Sequence, residues 1–222
     1  MATVTEVVDV DTRHGLGRWY VDEPVGRTVA NLAIGHGAGG GVESADLVVV
    51  AKAMAAAGFR VGRFEQPWRL AGRRVAGPPR QLDAAWCDAL PDFASAQRPL
   101  IVGGRSAGAR VACRTAVAAG ASGVLALAFS LQPPGRPGGS RFAEIPALPV
   151  LVVQGDRDAF GGPNYVVQSG AGSSGLSVLP IPGADHALNV VKSGPITLAE
   201  AHEIITIGVR RWALAVVRGN LR

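Results

Sequence analysis

The 222-residue sequence predicts an α/β fold with a mainly parallel central sheet and helices on both faces. Three observations lead there. Apolar runs of strand length alternate along the chain with segments of helical periodicity. In Pro99–Val117, PLIVGGRSAGARVACRTAV, a strand-like run passes into a helical pattern through a tight Gly-flanked corner. Several of the apolar runs end in Gly-rich or polar turns, and a parallel sheet gathers its chemistry at the carboxyl ends of its strands.

Taken in order, Glu6–Val10 alternates weakly and reads as an edge strand, Arg13-His14-Gly15 as a turn, and Gly17–Val21 as a second strand. Arg27–Ile34 is a longer apolar run leading into His36-Gly37-Ala38-Gly39-Gly40-Gly41. Ser44–Ala57 has helical periodicity, with Leu47, Val48, Ala51 and Met54 along one side. Phe59–Phe64 is the next strand, Arg69–Arg80 a polar Gly/Pro loop, and Gln81–Ala94 a helix that Pro91 kinks or ends. After the strand Leu100–Val102 and the helix Ala107–Ala118 come strands at Gly123–Ser130, Val150–Gln154 and Ser177–Ile181. Ile196–Val217 is a terminal helix with a strong apolar side. With no internal repeat and no long linker, residues 1–222 are expected to form one domain.

Composition narrows the partners. A hydrophobic fraction of 48% with only 5% aromatic residues implies a core of Val, Ala, Leu and Ile. No apolar run approaches the roughly 18 residues needed to cross a membrane, and the opening MATVTEVVDVDT lacks a basic-then-apolar secretion signal. Cys87 and Cys113 have no metal-ligand spacing, so free thiols, no metal and a cytoplasmic location are expected. The net charge of +5 comes almost entirely from arginine, since Lys52 and Lys192 are the only lysines. Arginines cluster between Arg60 and Arg80 without interleaved aromatics or a binding module. Solvated or ion-paired arginine is expected there, and no nucleic-acid partner.

Gly104-Arg105-Ser106-Ala107-Gly108 matches G-x-S-x-G, a weak pattern by itself in a glycine-rich chain. Its context strengthens it: a strand, a one-residue corner and a helix form a nucleophile elbow, which lifts the serine Oγ above the sheet edge. Gly104 and Gly108 leave room for the turn. Ser106, the His36–Gly41 segment, Asp156/Asp158 and His186 each follow a different apolar run. A serine hydroxyl needs a neighbouring base, and His186 can take its proton and pass it to a leaving group. A carboxylate must hold the imidazole tautomer. Asp158, further into its loop, is preferred over Asp156, which is expected to cap that loop. Two oriented donors would receive an oxyanion, the N–H groups of Ala107 and Ala38. Gly37 and Gly39 would let the backbone approach a substrate. A phosphate loop is the rival reading of HGAGGG, but it lacks the Lys and Ser/Thr of that motif. His36 reads as a histidine that shapes the loop. Arg105 could reach an anionic substrate group; an ion pair with Glu43 or Glu65 is the preferred reading.

These residues carry a resemblance. The order Ser, Asp, His is that of α/β-hydrolases, and the chain resembles that superfamily over almost its whole length. More narrowly, it looks like the small lidless branch related to dienelactone hydrolases and to the testis-expressed and NSL-complex regulatory-subunit proteins of animals. The match rests on His36–Gly40, Gly103–Gly108, Pro133-Pro134-Gly135, Val153–Asp158 and Gly183–His186. Ala107 stands where the branch often has Met, and Ala159 where Pro is usual after the acid. The resemblance implies an α/β-hydrolase fold and a cofactor-independent serine hydrolase acting on a small-molecule ester, thioester or lactone through an acyl-enzyme. The branch also contains interaction subunits, so a catalytically idle interaction module is the alternative. A helical cap is not expected: Leu131–Leu148 holds Pro133, Pro134, Pro137 and Pro146 with Gly135, Gly138 and Gly139, and is too short for two helices. The expected cleft is open and shallow, bordered by this loop and by Arg69–Arg80.

Overall fold

The computed structural model describes residues 5–94, 97–133 and 139–221. The chain opens with a hairpin. Strands β1 (Thr5–Thr12) and β2 (Gly15–Asp22) pair antiparallel, and the turn is closed where Thr12 Oγ1 donates to the Gly15 carbonyl at 2.6 Å. Along β2 the side chains of Trp19 and Val21 turn inward, as period-two alternation on a half-covered strand requires.

The remaining strands are β3 (Ala30–Gly35), β4 (Phe59–Glu65), β5 (Leu100–Arg105), β6 (Gly123–Leu127), β7 (Val150–Gly155) and β8 (Leu176–Ile181). The sheet order is β1-β2-β4-β3-β5-β6-β7-β8, antiparallel at the β1, β2 edge and parallel from β4 to β8. The central strands β3, β5, β6 and β7 are apolar at most positions because both faces are covered, with Asn31 in β3, Arg105 at the end of β5 and Gln154 in β7 as the polar exceptions. Ala33, Val102, Val124, Ala126 and Val152 join one core layer, under helices α3 (Pro79–Phe93) and α4 (Ala107–Thr115). Their neighbours Leu32, Ile101, Leu125, Leu151 and Val153 join the other, under α1 (Ala45–Ala56) and α6 (Leu198–Val217). At the antiparallel edge Trp19 stacks on Phe93 with centroids 4.6 Å apart, and its indole N–H donates to the Ala89 carbonyl at 3.1 Å.

The structure adds and trims elements. Helices α2 (Pro67–Leu70) and α5 (Pro163–Ser169) were not expected; each is too short for periodicity to register, and Pro at its first position is its one signal. The polar loop is correspondingly shorter than Arg69–Arg80. Pro91 lies inside α3, which ends two residues later, where the Ala94 N–H bonds the Leu90 carbonyl at 2.8 Å. Helix α4 stops at Thr115 rather than Ala118, and β6 stops at Leu127 rather than Ser130, because Ala128 takes φ 46° and breaks the extended backbone. Helix α6 starts at Leu198, behind a capping box of Thr197 and Glu200.

Between β6 and β7 the described residues form one 3-10 turn, Phe142–Glu144, and no helical cap. Pro134, Gly135, Pro137 and Gly138 lie outside the described residues. No helix is long and apolar enough to cross a membrane among the described residues.

The junction of β3, β5 and α4 is a backbone-to-backbone contact. A Cβ on Gly108 would lie 2.3 Å from the Gly35 carbonyl oxygen and 2.8 Å from that of His36. Neither neighbour is a side chain that could swing away. Gly108→Ala is therefore expected to lower stability by about 2 kcal/mol or more, measured by chemical denaturation. An unchanged midpoint would contradict this packing.

Candidate active site

Ser106 sits at the corner between β5 and α4 with φ 52° and ψ −107°, a conformation non-glycine residues seldom take. Neighbouring strands hold it there. Its N–H donates to the Leu127 carbonyl at the end of β6, and its own carbonyl accepts from the Arg110 N–H in α4. The strain turns the side chain out over the sheet edge.

The loops after β7 and β8 meet it. Ser106 Oγ lies 2.9 Å from His186 Nε2, and His186 Nδ1 lies 2.8 Å from Asp158 Oδ2. With Asp158 an acceptor, Nδ1 carries the proton and Nε2 faces the serine as the free base. The Asp158 side chain is wholly buried, while that of His186 is 22% exposed. Gln154 Nε2 donates to Asp158 Oδ2 at 2.8 Å, and the Phe160 N–H donates to Oδ1, also at 2.8 Å. The Phe160 ring stacks against the imidazole, centroids 4.1 Å apart. Asp156 stays outside this relay. Its Oδ1 accepts the Gly183 N–H at 2.8 Å and ties the β7 loop to the loop that carries His186.

The N–H groups of Ala107, first residue of α4, and Ala38, after β3, find no backbone acceptor among the described residues. Gly37 backs this loop onto the elbow: a Cβ there would stand 3.4 Å from the Arg105 carbonyl and 3.5 Å from Ser106 Cβ. Gly39 is exposed with open space beside it. Beside Ala38 and Ala107 a recess of about 10 Å³ is lined by Trp68, Leu82, Trp86 and Val111, room for roughly one water molecule.

His36 is a buried structural imidazole. Its Nδ1–H donates to the Gly37 carbonyl at 2.8 Å and its Nε2 accepts the Gln66 N–H at 3.2 Å, which fixes the neutral tautomer. Burial holds its pKa below the ordinary histidine value. Arg105 pairs with neither Glu43 nor Glu65. Its Nε lies 3.2 Å from Asp46 Oδ2, and its Nη2 donates to the His186 carbonyl at 3.4 Å. Asp46 is the partner because the first turn of α1 buries it beneath the elbow; burial pushes its carboxyl upward in pKa, and Arg105 opposes that. Glu43 lies instead 3.5 Å from Arg63, and Glu65 accepts the Tyr20 hydroxyl.

Sequence reasoning missed Gln154 and Ser130. Both are polar residues at the end of an apolar run, the same signal that marked the other site residues. Ser130 Oγ lies 3.0 Å from Ser106 Oγ.

A strained serine, a histidine and a buried aspartate at successive strand ends of this sheet define a serine-hydrolase-type α/β-hydrolase fold. Residues 28–213 match the family described as Alpha/beta hydrolase domain, and the chain belongs to it. Its fold is similar to that of an α/β serine hydrolase without lid from Xanthomonas campestris, at 23% identity and a TM-score of 0.68, covering 96% of each chain. It is also similar to an α/β serine hydrolase homologue from Coxiella burnetii (20% identity, TM-score 0.71, 94% of this chain and 99% of that one). Est1E from Butyrivibrio proteoclasticus, also determined with ferulic acid bound, is similar as well (14% identity, TM-score 0.72, 94% and 99%). No curated protein sequence matches significantly.

Two expectations follow. A depressed histidine pKa contributes stability that is fully present above the unfolded value of about 6.5 and is lost as pH falls toward the folded value. The stability advantage of wild type over His36→Gln should therefore shrink as denaturation is repeated from pH 7 down to pH 5; an advantage that grew would mean that His36 is a buried cation. For the two aspartates, Asp158→Asn should lower kcat by about 10,000-fold through loss of the tautomer, and Asp156→Asn should cost far less. Steady-state kinetics in the reverse order would give the imidazole to Asp156.

Proposed function

We propose that this protein hydrolyses carboxylic esters of small molecules, with thioesters and lactones in the same chemical reach, through an acyl-enzyme on Ser106. The observation that carries this is the unbroken relay Ser106–His186–Asp158, with both contacts at hydrogen-bond distance. Ser106 Oγ attacks the carbonyl carbon as His186 Nε2 takes its proton. The N–H groups of Ala38 and Ala107 receive the oxyanion. His186 then protonates the leaving alkoxide or thiolate, and the acyl group stays on Ser106. Water, deprotonated by the same imidazole, attacks next, and the acid leaves as Ser106 regains its proton.

Arg105 acts in this reading as a positioning residue rather than a substrate ligand. Its side chain is committed to Asp46 and to the His186 carbonyl, and so ties the elbow to the loop of the base. Gly37 and Gly39 shape the path of the backbone beside the substrate. Placement in the small lidless dienelactone-hydrolase-like branch rests on the motif segments His36–Gly40, Gly103–Gly108, Val153–Asp158 and Gly183–His186. A single domain is supported by one family match over residues 28–213. Unpaired Cys87 and Cys113 favour a reducing compartment.

With one 3-10 turn and no helical cap between β6 and β7 among the described residues, the cleft in this reading is open and buries little acyl chain, and each buried CH₂ contributes only about 0.8 kcal/mol. A fluorophosphonate probe should label wild type and leave a folded Ser106→Ala protein unlabelled. Across acetyl, butyryl, octanoyl and palmitoyl p-nitrophenyl esters, kcat/KM should not rise with chain length, nor jump above the micelle threshold. A wild type that resists the probe while a known serine hydrolase reacts would overturn the hydrolase reading. A steady rise toward palmitoyl would overturn the short-acyl preference.

A further inference from the structure

The nucleophile has a second hydroxyl beside it. Ser130 Oγ stands 3.0 Å from Ser106 Oγ, on the side not taken by His186, and Ser130 is 5% exposed. The proton count gives the direction of this bond. A reactive Ser106 directs its single O–H at His186 Nε2, so the contact with Ser130 must use the Ser130 proton. Ser130 therefore donates, and Ser106 Oγ accepts with a lone pair.

The backbone around Ser130 is held as firmly as the elbow. Ala128 takes φ 46° at the end of β6, with its N–H on the Val153 carbonyl at 2.8 Å. The Phe129 carbonyl accepts from Gln154 Nε2 at 3.3 Å, the amide that also holds Asp158. The Ser130 carbonyl accepts from Arg141 Nη1 at 2.9 Å. The positive φ of Ala128 turns the chain at the end of β6, and these bonds hold the backbone on either side of Ser130.

We infer that Ser130 is a further catalytic residue, whose hydroxyl stabilises the negative charge that builds on Ser106 Oγ when its bond to the acyl carbon forms or breaks. It gives up no proton: Ser106 loses its proton to His186 and recovers it from His186, and Ser130 keeps its own throughout. During acylation Oγ gains charge as its proton departs, and the Ser130 bond strengthens. In the acyl-enzyme, Oγ is an ester oxygen and a weak acceptor, so the bond slackens. In deacylation Oγ is the leaving group, and the bond strengthens again. Such a donor lowers barriers without tightening substrate binding, because it acts on an atom of the enzyme that is neutral in the ground state.

The inference rests on the serine-hydrolase reading, and one experiment separates the two. Labelling by a fluorophosphonate is resolved into probe affinity and inactivation rate for wild type, Ser130→Ala and Ser130→Thr, alongside kcat and KM for p-nitrophenyl acetate and thermal melting. A hydrogen bond to a charged group is expected to change the rate by roughly 10- to 100-fold. Ser130→Ala should lose that factor in inactivation rate and in kcat, with probe affinity, KM and melting temperature nearly unchanged. Ser130→Thr, which keeps the hydroxyl, should restore most of the rate, and it decides the matter should the Ala variant not fold. Unlabelled wild type would sink the hydrolase reading itself. Labelled wild type with an equally fast Ser130→Ala, or a folded Ser130→Thr as slow as Ser130→Ala, would overturn the role of Ser130 alone.

Discussion

The approach of three backbones behind Ser106 is the constraint on which the site depends. Gly35 at the end of β3, Gly104 near the end of β5 and Gly108 in the first turn of α4 meet with no side chain between them. A Cβ on Gly104 or Gly108 would lie 2.4 Å or 2.3 Å from the Gly35 carbonyl oxygen. That proximity lets α4 begin one residue after the strand corner and forces Ser106 into its strained conformation. It also sets the Ala107 N–H at the helix start, close to the loop that carries Ala38. Strain at one residue is sustained by packing that has no alternative arrangement.

The other side chains of the site are placed by groups that bridge strand ends. Gln154 binds the Asp158 carboxylate, the Phe129 carbonyl and the Gly161 carbonyl at once, so the acid and the β6 loop are positioned by one amide. Asp156 joins the β7 loop to the start of the His186 loop. Arg105 joins buried Asp46 in α1 to the backbone of His186. The nucleophile, base and acid thus come from three different strand ends, yet each is tied to the next by something other than the reactive contact. Such pre-organisation is what positions reacting atoms to within a fraction of an ångström.

Much of this was legible in the sequence, and the limits have physical reasons. The parallel core could be read because strands covered on both faces must be apolar throughout. Ser106, Asp158 and His186 could be read because their residue types at strand ends have few other uses in combination. The partner of Arg105 could not. Asp46 looks like an ordinary acid in the first turn of a helix, and only the docking of α1 under the elbow buries it. Ser130 and Gln154 carry the same signal, a polar residue closing an apolar run, but that position also suits an ordinary strand end, and only contacts across the sheet show their roles. The sequence pattern carries β6 on to Ser130 because nothing in Leu127-Ala128-Phe129 announces a positive φ. Helices α2 and α5 are four and seven residues long, shorter than two helical turns.

In this mechanism Ser106 carries the acyl group during turnover. The chain offers a clean way to see it: trypsin cleavage after Arg105 and Arg110 releases Ser106–Arg110, a peptide whose one hydroxyl is that of Ser106. Wild type mixed with excess p-nitrophenyl acetate, quenched in acid during turnover and digested, should show one added acetyl group on that peptide by mass spectrometry, lost again when the reaction is chased to completion. Hydrolysis of the ester with that peptide unmodified, or with the acetyl group on the peptide that contains Ser130, would contradict it.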